Sequence, residues 1–526
     1  MTLIEGGLIV DGTGRPAFPG RVLIDGDRIV EVAEGPGPTP PDAEVVDAAG
    51  CLVTPGFIDA HSHSDAYLVL EPQAPSKLAQ GVTTEINGQC GGSAVPRYGE
   101  ARLSSDWASL LGECLVWRSM RDYRECLEAA RPAINTVQFV GHNTLRSSVI
   151  GYAAERATPE TLREMSRLLE AALDEGGWGL TTGLIYQPGK YSDAAEVTAL
   201  AKTAAARGGF YATHMRSEGD RILEAIDEVL DLVRATGIRA EISHLKTSGP
   251  RNWGKIDSVL DKMQSAVDAG LLLGSDRYPY CAAGTDLDVV FPDWAGEGGV
   301  TAERRRLADP ATRAKIVAEL DALDRDWSTV MIGGTWSPET APFSGRSVAE
   351  CAADAGRVSP GELVCRVLEL DECRTGAFFF GMSEDNLDRI YARPWIVPGS
   401  DASLRAPWGP LGKDHPHPRA YGTMPEFFRR LTGRSGRAPI CSREEAVARM
   451  TSVPARRFEI RGRGVLEKGA FADVAVWRED DFVSAATYER PHAFAAGVKA
   501  VFVNGALSYG DGVFTSARAG RLLSRD

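Results

Sequence analysis

Residues 56–63, with the sequence GFIDAHSH, form a short apolar run that ends in two histidines. Seven similar runs follow, and segments of helical length separate most of them. These runs occupy residues 82–90, 136–142, 179–186, 210–216, 240–246, 271–280 and 395–401. Apolar runs that alternate with amphipathic segments are typical of repeated βα units around a parallel sheet. The pattern therefore predicts an α/β fold, a TIM-type (β/α)8 barrel over residues 57–462.

Short apolar strands are also predicted at both ends of the chain. They lie at residues 2–10, 21–33, 45–56, 473–477 and 498–505, and Gly and Asp residues typical of turns separate them. Because the two ends have the same character, we expect them to combine. The prediction is one small β-sandwich domain made of residues 1–56 and 463–526.

A further subdomain is predicted late in the barrel. Residues 281–394 are too many for a single βα connection. They also contain two more apolar runs, at 329–334 and 377–382. We therefore expect an insertion within about residues 285–375.

The composition narrows the class of protein. The chain has 526 residues, with 58 Lys and Arg against 72 Asp and Glu and a formal charge of -14. This balance argues against a nucleic-acid or anionic-membrane partner. No run reaches the roughly 18 apolar residues of a membrane span, and residues 1–35 lack the pattern of a secretory signal. The nine cysteines lack paired spacing, which favours reduced thiols and a cytoplasmic location.

Potential metal ligands stand at or just after the ends of six of the eight runs. They are His61, His63, Cys90, His142, His214, His244 and Asp401. Because active sites of α/β barrels lie at the carboxyl ends of the strands, we expect these side chains to converge. The spacing of His61 and His63 places both imidazoles on one face of a strand. For that pair alone, two unrelated surface or core histidines are the alternative.

Several motifs resemble those of the amidohydrolase superfamily of metal-dependent hydrolases. They are PGFIDAHSHSD (55–65), FYATHMRSEGD (210–220), EISHLKTSG (241–249) and VPGSDAS (397–403). A second set resembles the N-acyl-D-amino-acid deacylases (D-aminoacylases) within that superfamily. It comprises QGVTTEINGQCGGS (80–93), VGHNTLR (140–146), GLIYQPGKYS (183–192), RYPY (277–280), MSEDN (382–386) and HPRAYGT (417–423). The resemblance runs through nearly the whole chain.

The resemblance implies a zinc ion bound tightly by Cys90, His214 and His244. It also implies a second, weaker metal position, surrounded by His61, His63 and Asp401. Three nitrogen or sulfur ligands with an open fourth position are the pattern of a catalytic zinc. Without this context, Cys90 would more often be a buried core cysteine.

The predicted function is zinc-dependent hydrolysis of the amide bond of N-acyl-D-amino acids, with Asp401 as general base and acid. Zinc lowers the pKa of its water to about 7, so a nearby carboxylate need only transfer a proton. The preference for the D series rests wholly on the resemblance. For Asp401 the alternative is a helix N-cap.

Five residues are predicted to contact the small-molecule substrate: Tyr186, Lys246, Arg277, Tyr278 and Tyr280. By strand alternation Lys246 shares a face with His244, and we expect it to bind the substrate carboxylate together with Tyr280. Arg277 could select an acidic side chain or pair at the surface. Apolar residues within 287–294 could instead line a hydrophobic pocket. Packing or surface roles remain the alternative for the lysine and the tyrosines.

Four histidines, His142, His415, His417 and His492, fall outside the ligand set and are expected to support loops or to be exposed.

The nearest rival function is a cyclic-amide, hydantoin or isoaspartyl-dipeptide hydrolase of the same superfamily. From another class, the rival is a non-catalytic metal-binding scaffold, although every ligand position holds a suitable residue. The sequence predicts no oligomeric state.

Overall fold

The computed structural model describes residues 1–102 and 116–525. Within these residues, parallel strands occupy eight positions around a barrel. The strands are Phe57–Asp59, Val82–Asn87, Asn135–Gln138 continued by Val140–Gly141, Gly179–Gly183, Phe210–His214, Arg239–Ile242, Leu273–Asp276 and Ile396–Val397. The first and last strands meet where the Ala60 N–H donates to the Pro398 carbonyl at 3.0 Å and Ser62 pairs with Ala402. The predicted fold class is confirmed.

Helices cover the outside of this barrel. They are Tyr67–Leu70, Pro75–Leu78, Met120–Ala130, His142–Val149, Pro159–Asp174, Ala194–Ala206, Ile222–Thr236, Ile256–Asp268, Glu384–Tyr391, Arg419–Leu431, Arg443–Met450 and Ser452–Arg457. The strands Val82–Asn87 and Phe210–His214 are wholly buried, as parallel strands between helices should be. Helix Pro159–Asp174 begins where the sequence predicts, since the Thr158 hydroxyl accepts from the Thr161 N–H. None of the described helices has both the length and the apolar content needed to cross a membrane.

The two ends of the chain build a nine-stranded sheet, called here the terminal sheet. Its strands are Thr2–Ile9, Phe18–Asp25, Arg28–Glu34, Glu44–Asp47, Leu52–Pro55, Val474–Trp477, Val498–Val503, Ala506–Gly510 and Val513–Phe514. The two parts join where Leu52–Pro55 pairs antiparallel with Val474–Trp477. Apolar side chains from both parts pack in one core. The division of the chain at residues 56 and 463 stays a prediction.

Residues 282–380 form an inserted subdomain with its own core. Its strands are Ala282–Asp286, Val330–Ile332, Arg346–Ser347 and Gly376–Phe380, and its helices are Asp293–Gly296, Val300–Ala308, Pro310–Asp321, Val348–Asp354 and Pro360–Leu370. The subdomain extends a few residues beyond the predicted 285–375, because its first and last strands pair with each other. Leu287, Val290 and Phe291 pack in its core, so they do not form the hydrophobic substrate pocket that the sequence allowed.

Candidate metal centre

Cys90 lies at the centre of three imidazoles at the carboxyl ends of the barrel strands. Its Sγ atom is 3.4 Å from His61 Nε2, 3.4 Å from His244 Nε2 and 3.7 Å from His214 Nδ1. A tetrahedral zinc with bonds of about 2.3 Å to sulfur and about 2.0 Å to nitrogen separates two such ligand atoms by about 3.5 Å. The spacing of the sulfur and nitrogen atoms therefore fits one shared cation.

The backbone bends sharply at three of these ligand positions. Cys90, His244 and Asp401 have φ angles of 52°, 36° and 49°, in the left-handed region. That region costs a non-glycine residue on the order of 1–3 kcal/mol and is found most often at functional sites. Gly91, next to Cys90, is also left-handed, and a Cβ added there would lie 2.4 Å from Asn143 Oδ1. The loop around the cysteine is therefore tight.

Asp401 faces the two histidines of the first strand. Its Oδ1 atom is 3.3 Å from His61 Nε2 and 3.1 Å from His63 Nε2, and its N–H donates to the His61 carbonyl at 2.8 Å. One donor atom from each of His61, Cys90, His244 and Asp401 lies within 4.8 Å of the others. Thiolate, imidazole and carboxylate donors suit zinc. These four donors therefore fit a bound cation that shares Cys90 and His244 with the first set of contacts.

Glu218 contacts the far sides of two ligand imidazoles, and the sequence analysis missed it. Its Oε1 atom is 2.9 Å from His244 Nδ1, and its Oε2 atom is 3.6 Å from His214 Nε2. It also binds the ammonium group of Lys246, which lies 2.7 Å from His244 Nδ1. A carboxylate in this position orients a ligand imidazole and increases its basicity. The four-residue spacing from His214 to Glu218 is the signal that could have indicated this contact.

Asp276 contacts the imidazole of His61, next to the first strand, in the way that Glu218 contacts the imidazole of His244. Its Oδ2 atom is 3.2 Å from His61 Nδ1, and its Oδ1 atom accepts a hydrogen bond from the His244 N–H at 2.9 Å. Because one carboxylate holds an imidazole of one strand and the backbone of another, it fixes the distance between these two ligands.

Neighbouring charges keep the anionic ligands ionised. Burial raises the pKa of the Cys90 thiol, but the His61 and His244 imidazoles bring that pKa well below its usual range. Burial also raises the pKa of Asp401, and Arg419 and His244 bring it well below the ordinary value for a carboxyl group. A thiolate and a carboxylate therefore face each other at neutral pH, which favours a bound cation.

Arg419 is a buried cation that the sequence analysis did not single out. Its Nη1 atom lies 2.8 Å from Asp401 Oδ2, and its Nη2 atom donates to the Gly284 carbonyl at 3.1 Å. Its guanidinium carbon is 4.7 Å from the centroid of the Tyr278 ring. The motif HPRAYGT contains it, but the chain spacing from Asp401 gives no sign of the contact.

A cavity of about 370 Å³ opens over this cluster. The cluster residues that line it are His63, Cys90, Asp401 and Arg419. The inserted subdomain lines another part with Thr285, Trp336, Arg374 and Phe378. Cavities of about 300–1,000 Å³ are typical of sites for small molecules. The inserted subdomain therefore helps to enclose whatever binds above the metal ligands.

Comparison with known proteins places this site in a family. Residues 44–509 match the sequence profile of the amidohydrolase family. The chain belongs to that family. It is 36% identical over 525 residues to the N-acyl-D-glutamate deacylase of Alcaligenes xylosoxydans xylosoxydans. The alignment covers 100% of this chain and 96% of the relative. It is also 33% identical to a D-aminoacylase of the same organism, over 99% of this chain and 97% of the relative.

A solved structure shares the fold of this amidohydrolase over its full length. The N-acyl-D-glutamate deacylase of Bordetella bronchiseptica, complexed with zinc and a phosphonate inhibitor that mimics the tetrahedral intermediate, matches with a TM-score of 0.84. The sequence identity is 32%, and 99% of each chain is covered. The resemblance to N-acyl-D-amino-acid deacylases that the motifs carried is confirmed.

Two of the tyrosines predicted to contact substrate lie close to the metal ligands of this amidohydrolase. Tyr186 lines the cavity, with its ring centroid 4.9 Å from that of His214, and its hydroxyl accepts a hydrogen bond from Thr285 at 3.4 Å. Tyr278 is buried, with its ring centroid 6.5 Å from that of His244. Within the described part of the chain, its hydroxyl has no hydrogen-bond partner.

Lys246, Arg277, Tyr278 and Tyr280 do not line the cavity. Arg277 is 1% exposed, its Nη2 atom donates to the Tyr280 carbonyl at 2.8 Å, and its guanidinium lies 4.0 Å from the Tyr278 ring centroid. It is therefore neither at the cavity mouth nor in a surface ion pair, the two positions that the sequence suggested, because the chain turns inward after Asp276. Burial raises the pKa of Tyr280 far above its ordinary value, and its ring packs 5.3 Å from that of His417.

The remaining histidines lie outside the ligand cluster. His142 Nε2 is 2.8 Å from Glu196 Oε1 in a buried contact. His415 and His417 line the cavity, and His417 Nε2 lies 3.1 Å from the Ala282 carbonyl, which joins the last barrel loop to the inserted subdomain. His492 Nδ1 is 2.9 Å from the Tyr421 hydroxyl.

Proposed function

We propose that this chain hydrolyses the amide bond of N-acyl-D-amino acids and releases a carboxylate and a free D-amino acid. The observation that carries the proposal is that Cys90 Sγ contacts the imidazoles of His214 and His244 and lies in one donor cluster with His61, His244 and Asp401, at a cavity of small-molecule size. The relatives named N-acyl-D-glutamate deacylase and D-aminoacylase, which match along the whole chain, support the substrate class.

The proposed cofactor is zinc. Cys90, His214 and His244 would hold one ion tightly, and the second, weaker position would use His61, His63 and Asp401. When bound, zinc polarises a carbonyl group and makes water a nucleophile at neutral pH. The similar solved structure contains zinc, and the spacing of the donor atoms here fits that ion.

Asp401 is the proposed proton carrier. Because its pKa is well below the ordinary value, the carboxylate is ionised at neutral pH and can accept a proton from the attacking water. The same carboxyl group then delivers the proton to the leaving nitrogen. Arg419, 2.8 Å from Oδ2, holds the carboxyl group in place and favours its charged form before the first transfer and after the second.

A group of buried cations supports the binding of a carboxylate substrate. Lys246, Arg419 and Arg277 lie 5.9, 4.7 and 4.0 Å from the centroid of the Tyr278 ring. The lysine is paired with Glu218 and Arg419 with Asp401, but among the described residues no carboxylate pairs with Arg277. We propose that the excess positive charge attracts the carboxylate of the N-acyl amino acid, which Arg419 would contact in the cavity and Lys246, Tyr278, Arg277 and Tyr280 would support from behind.

The test is a screen of N-acetyl and N-formyl amino acids in both stereochemical series with zinc-loaded protein. We expect hydrolysis in the D series and none in the L series. Hydantoin, dihydrouracil and an isoaspartyl dipeptide serve as competing substrates. Turnover of any of these with no cleavage of the D series would assign the chain to a rival activity, and no turnover with full zinc occupancy would favour a metal-binding scaffold.

We also propose that the protein functions in the cytoplasm. The eight cysteines in the described residues are free thiols. A reducing compartment keeps such thiols unpaired.

A further inference from the structure

Lys77 is a buried lysine, only 1% exposed, that contacts the chain next to the proposed metal ligands His61, His63 and Asp401. It belongs to the short helix Pro75–Leu78. Its Nζ atom is 2.7 Å from Asp59 Oδ2 and 3.5 Å from Glu85 Oε2. Removing an ammonium group from water is costly, and a buried ion pair is seldom more stable than apolar residues of similar size. Stability alone therefore does not account for a lysine here.

The ammonium group binds the chain on both sides of Asp401. Lys77 Nζ donates to Ser400 Oγ at 3.1 Å and lies 3.0 Å from the Ala402 carbonyl. These two residues flank Asp401, whose backbone is left-handed. Without such contacts, a residue in this conformation would relax toward more common backbone angles and move its carboxylate.

The same ammonium group also reaches the segment of the first two histidines. Its Nζ atom donates to Ser62 Oγ at 3.1 Å, and Ser62 lies between His61 and His63. Its ion-pair partner Asp59 accepts from the Ser400 N–H at 2.8 Å and from the Ser400 hydroxyl at 2.6 Å. One lysine and one aspartate thus join the end of the first barrel strand to the loop after the last one.

We propose that Lys77 is a positioning residue, which fixes the Asp401 carboxylate relative to His61 and His63. The inference rests on the proposed function, in which Asp401 carries the proton. Cys90, His214 and His244 are not among the contacts of Lys77 in the described chain. Its loss should therefore disturb Asp401 and the second cation position while leaving the first position intact.

Four variants test this assignment. Lys77→Met keeps the length of the side chain and removes its charge, and Lys77→Arg keeps the charge. Ser400→Ala keeps all charges and removes one hydroxyl that Lys77 binds. Lys468→Met, at an exposed lysine of the C-terminal region, is the matched control.

The first readout is zinc binding by competition with a chelator, which does not depend on activity. For Lys77→Met we expect the first equivalent to bind as in the wild type and the second to bind about tenfold or more weakly. The second readout is the split between kcat and KM. We expect kcat to fall about 100-fold with KM unchanged, because a misplaced reacting group affects the chemical step. By the same reasoning, the kcat of Ser400→Ala should be about tenfold lower than that of the wild type. Lys77→Arg should lose less kcat than Lys77→Met, and the control should match the wild type.

Each outcome decides between explanations. A folded Lys77→Met protein with normal kcat and normal affinity for both zinc equivalents would overturn the proposal. Equal loss of both equivalents would also overturn it, since that result indicates a general structural role. If Lys77→Met does not fold, normal kcat in Ser400→Ala overturns the proposal. If the wild type binds a single equivalent, the split between kcat and KM decides. If the wild type cleaves no N-acyl-D-amino acid, the proposed function fails, and the zinc titration still tests Lys77.

Discussion

Glu218→Gln is expected to weaken zinc binding without removing any ligand. In the structure one carboxylate serves two ligand imidazoles, with Oε1 2.9 Å from His244 Nδ1 and Oε2 3.6 Å from His214 Nε2. Glutamine has nearly the same shape, but it has no charge and only one oxygen atom. The NH2 group of the glutamine must face either an imidazole or the Lys246 ammonium. Either arrangement is less favourable than the contacts that the carboxylate makes.

The size of the effect follows from the two distances. A hydrogen bond to a charged group contributes about 1.5–3 kcal/mol, and the 2.9 Å contact is of this kind. The 3.6 Å contact adds little, because it is longer than an ordinary hydrogen bond. Loss of about 1.5–3 kcal/mol corresponds to a zinc Kd that is about 10 to 150 times higher. Mutations of such outer carboxylates typically cost about 10–100-fold in metal affinity.

The assay is a competition titration of metal-free protein against a chromogenic chelator of known zinc affinity, with activity measured at each free zinc concentration. Glu228→Gln is the control, since Glu228 pairs with Arg216 at 2.9 Å and is not part of the ligand cluster. We expect the Glu218 variant to need more zinc for half-maximal activity and to approach wild-type kcat when saturated. An unchanged Kd, or a loss of activity that excess zinc does not restore, would refute the assigned role of Glu218.

Two other substitutions test Asp401 as the proton carrier and Glu303 of the inserted subdomain as a source of pH-dependent stability. Asp401→Asn should keep the tightly bound zinc and lower kcat by about 10²–10⁴, measured by metal analysis and turnover of the same sample, and an active Asn variant would exclude Asp401 as the base. Burial raises the pKa of Glu303 from 4.5 to about 7, so the folded protein retains a proton that the unfolded chain releases. The free energy of unfolding therefore falls as pH rises from about 4.5 to about 7, and urea unfolding should show a flatter pH profile for Glu303→Gln. Equal profiles for the two proteins would contradict this.

The barrel was predictable because its signal is local. Each apolar run is a strand buried on both faces, and the runs at 82–90 and 210–216 contain the strands Val82–Asn87 and Phe210–His214. Their order and number then determine the topology. The extent of the inserted subdomain was less accurate, because it depends on the pairing of Ala282–Asp286 with Gly376–Phe380, which are far apart in the chain.

The residues that support the ligands were harder to predict. The ends of parallel strands meet at one face, and this rule brings Cys90, His214 and His244 together. The same rule also included His142, which instead contacts Glu196, so the choice of ligands depended on the resemblance. Glu218 lies on a loop and Arg419 begins the helix Arg419–Leu431, and their contacts depend on how these segments fold back over the barrel. Arg277 follows the end of the strand Leu273–Asp276, and no local pattern indicated that it is buried beside Tyr278.

The most direct test of the account is a zinc titration of metal-free protein in which hydrolysis of N-acetyl-D-amino acids and of their L enantiomers is followed. Activity in the D series should rise in proportion to zinc and reach its plateau at one equivalent, and a Cys90→Ala protein should show no such rise. Hydrolysis by protein free of zinc, or a zinc-saturated wild type that cleaves no D substrate, would contradict the central claim.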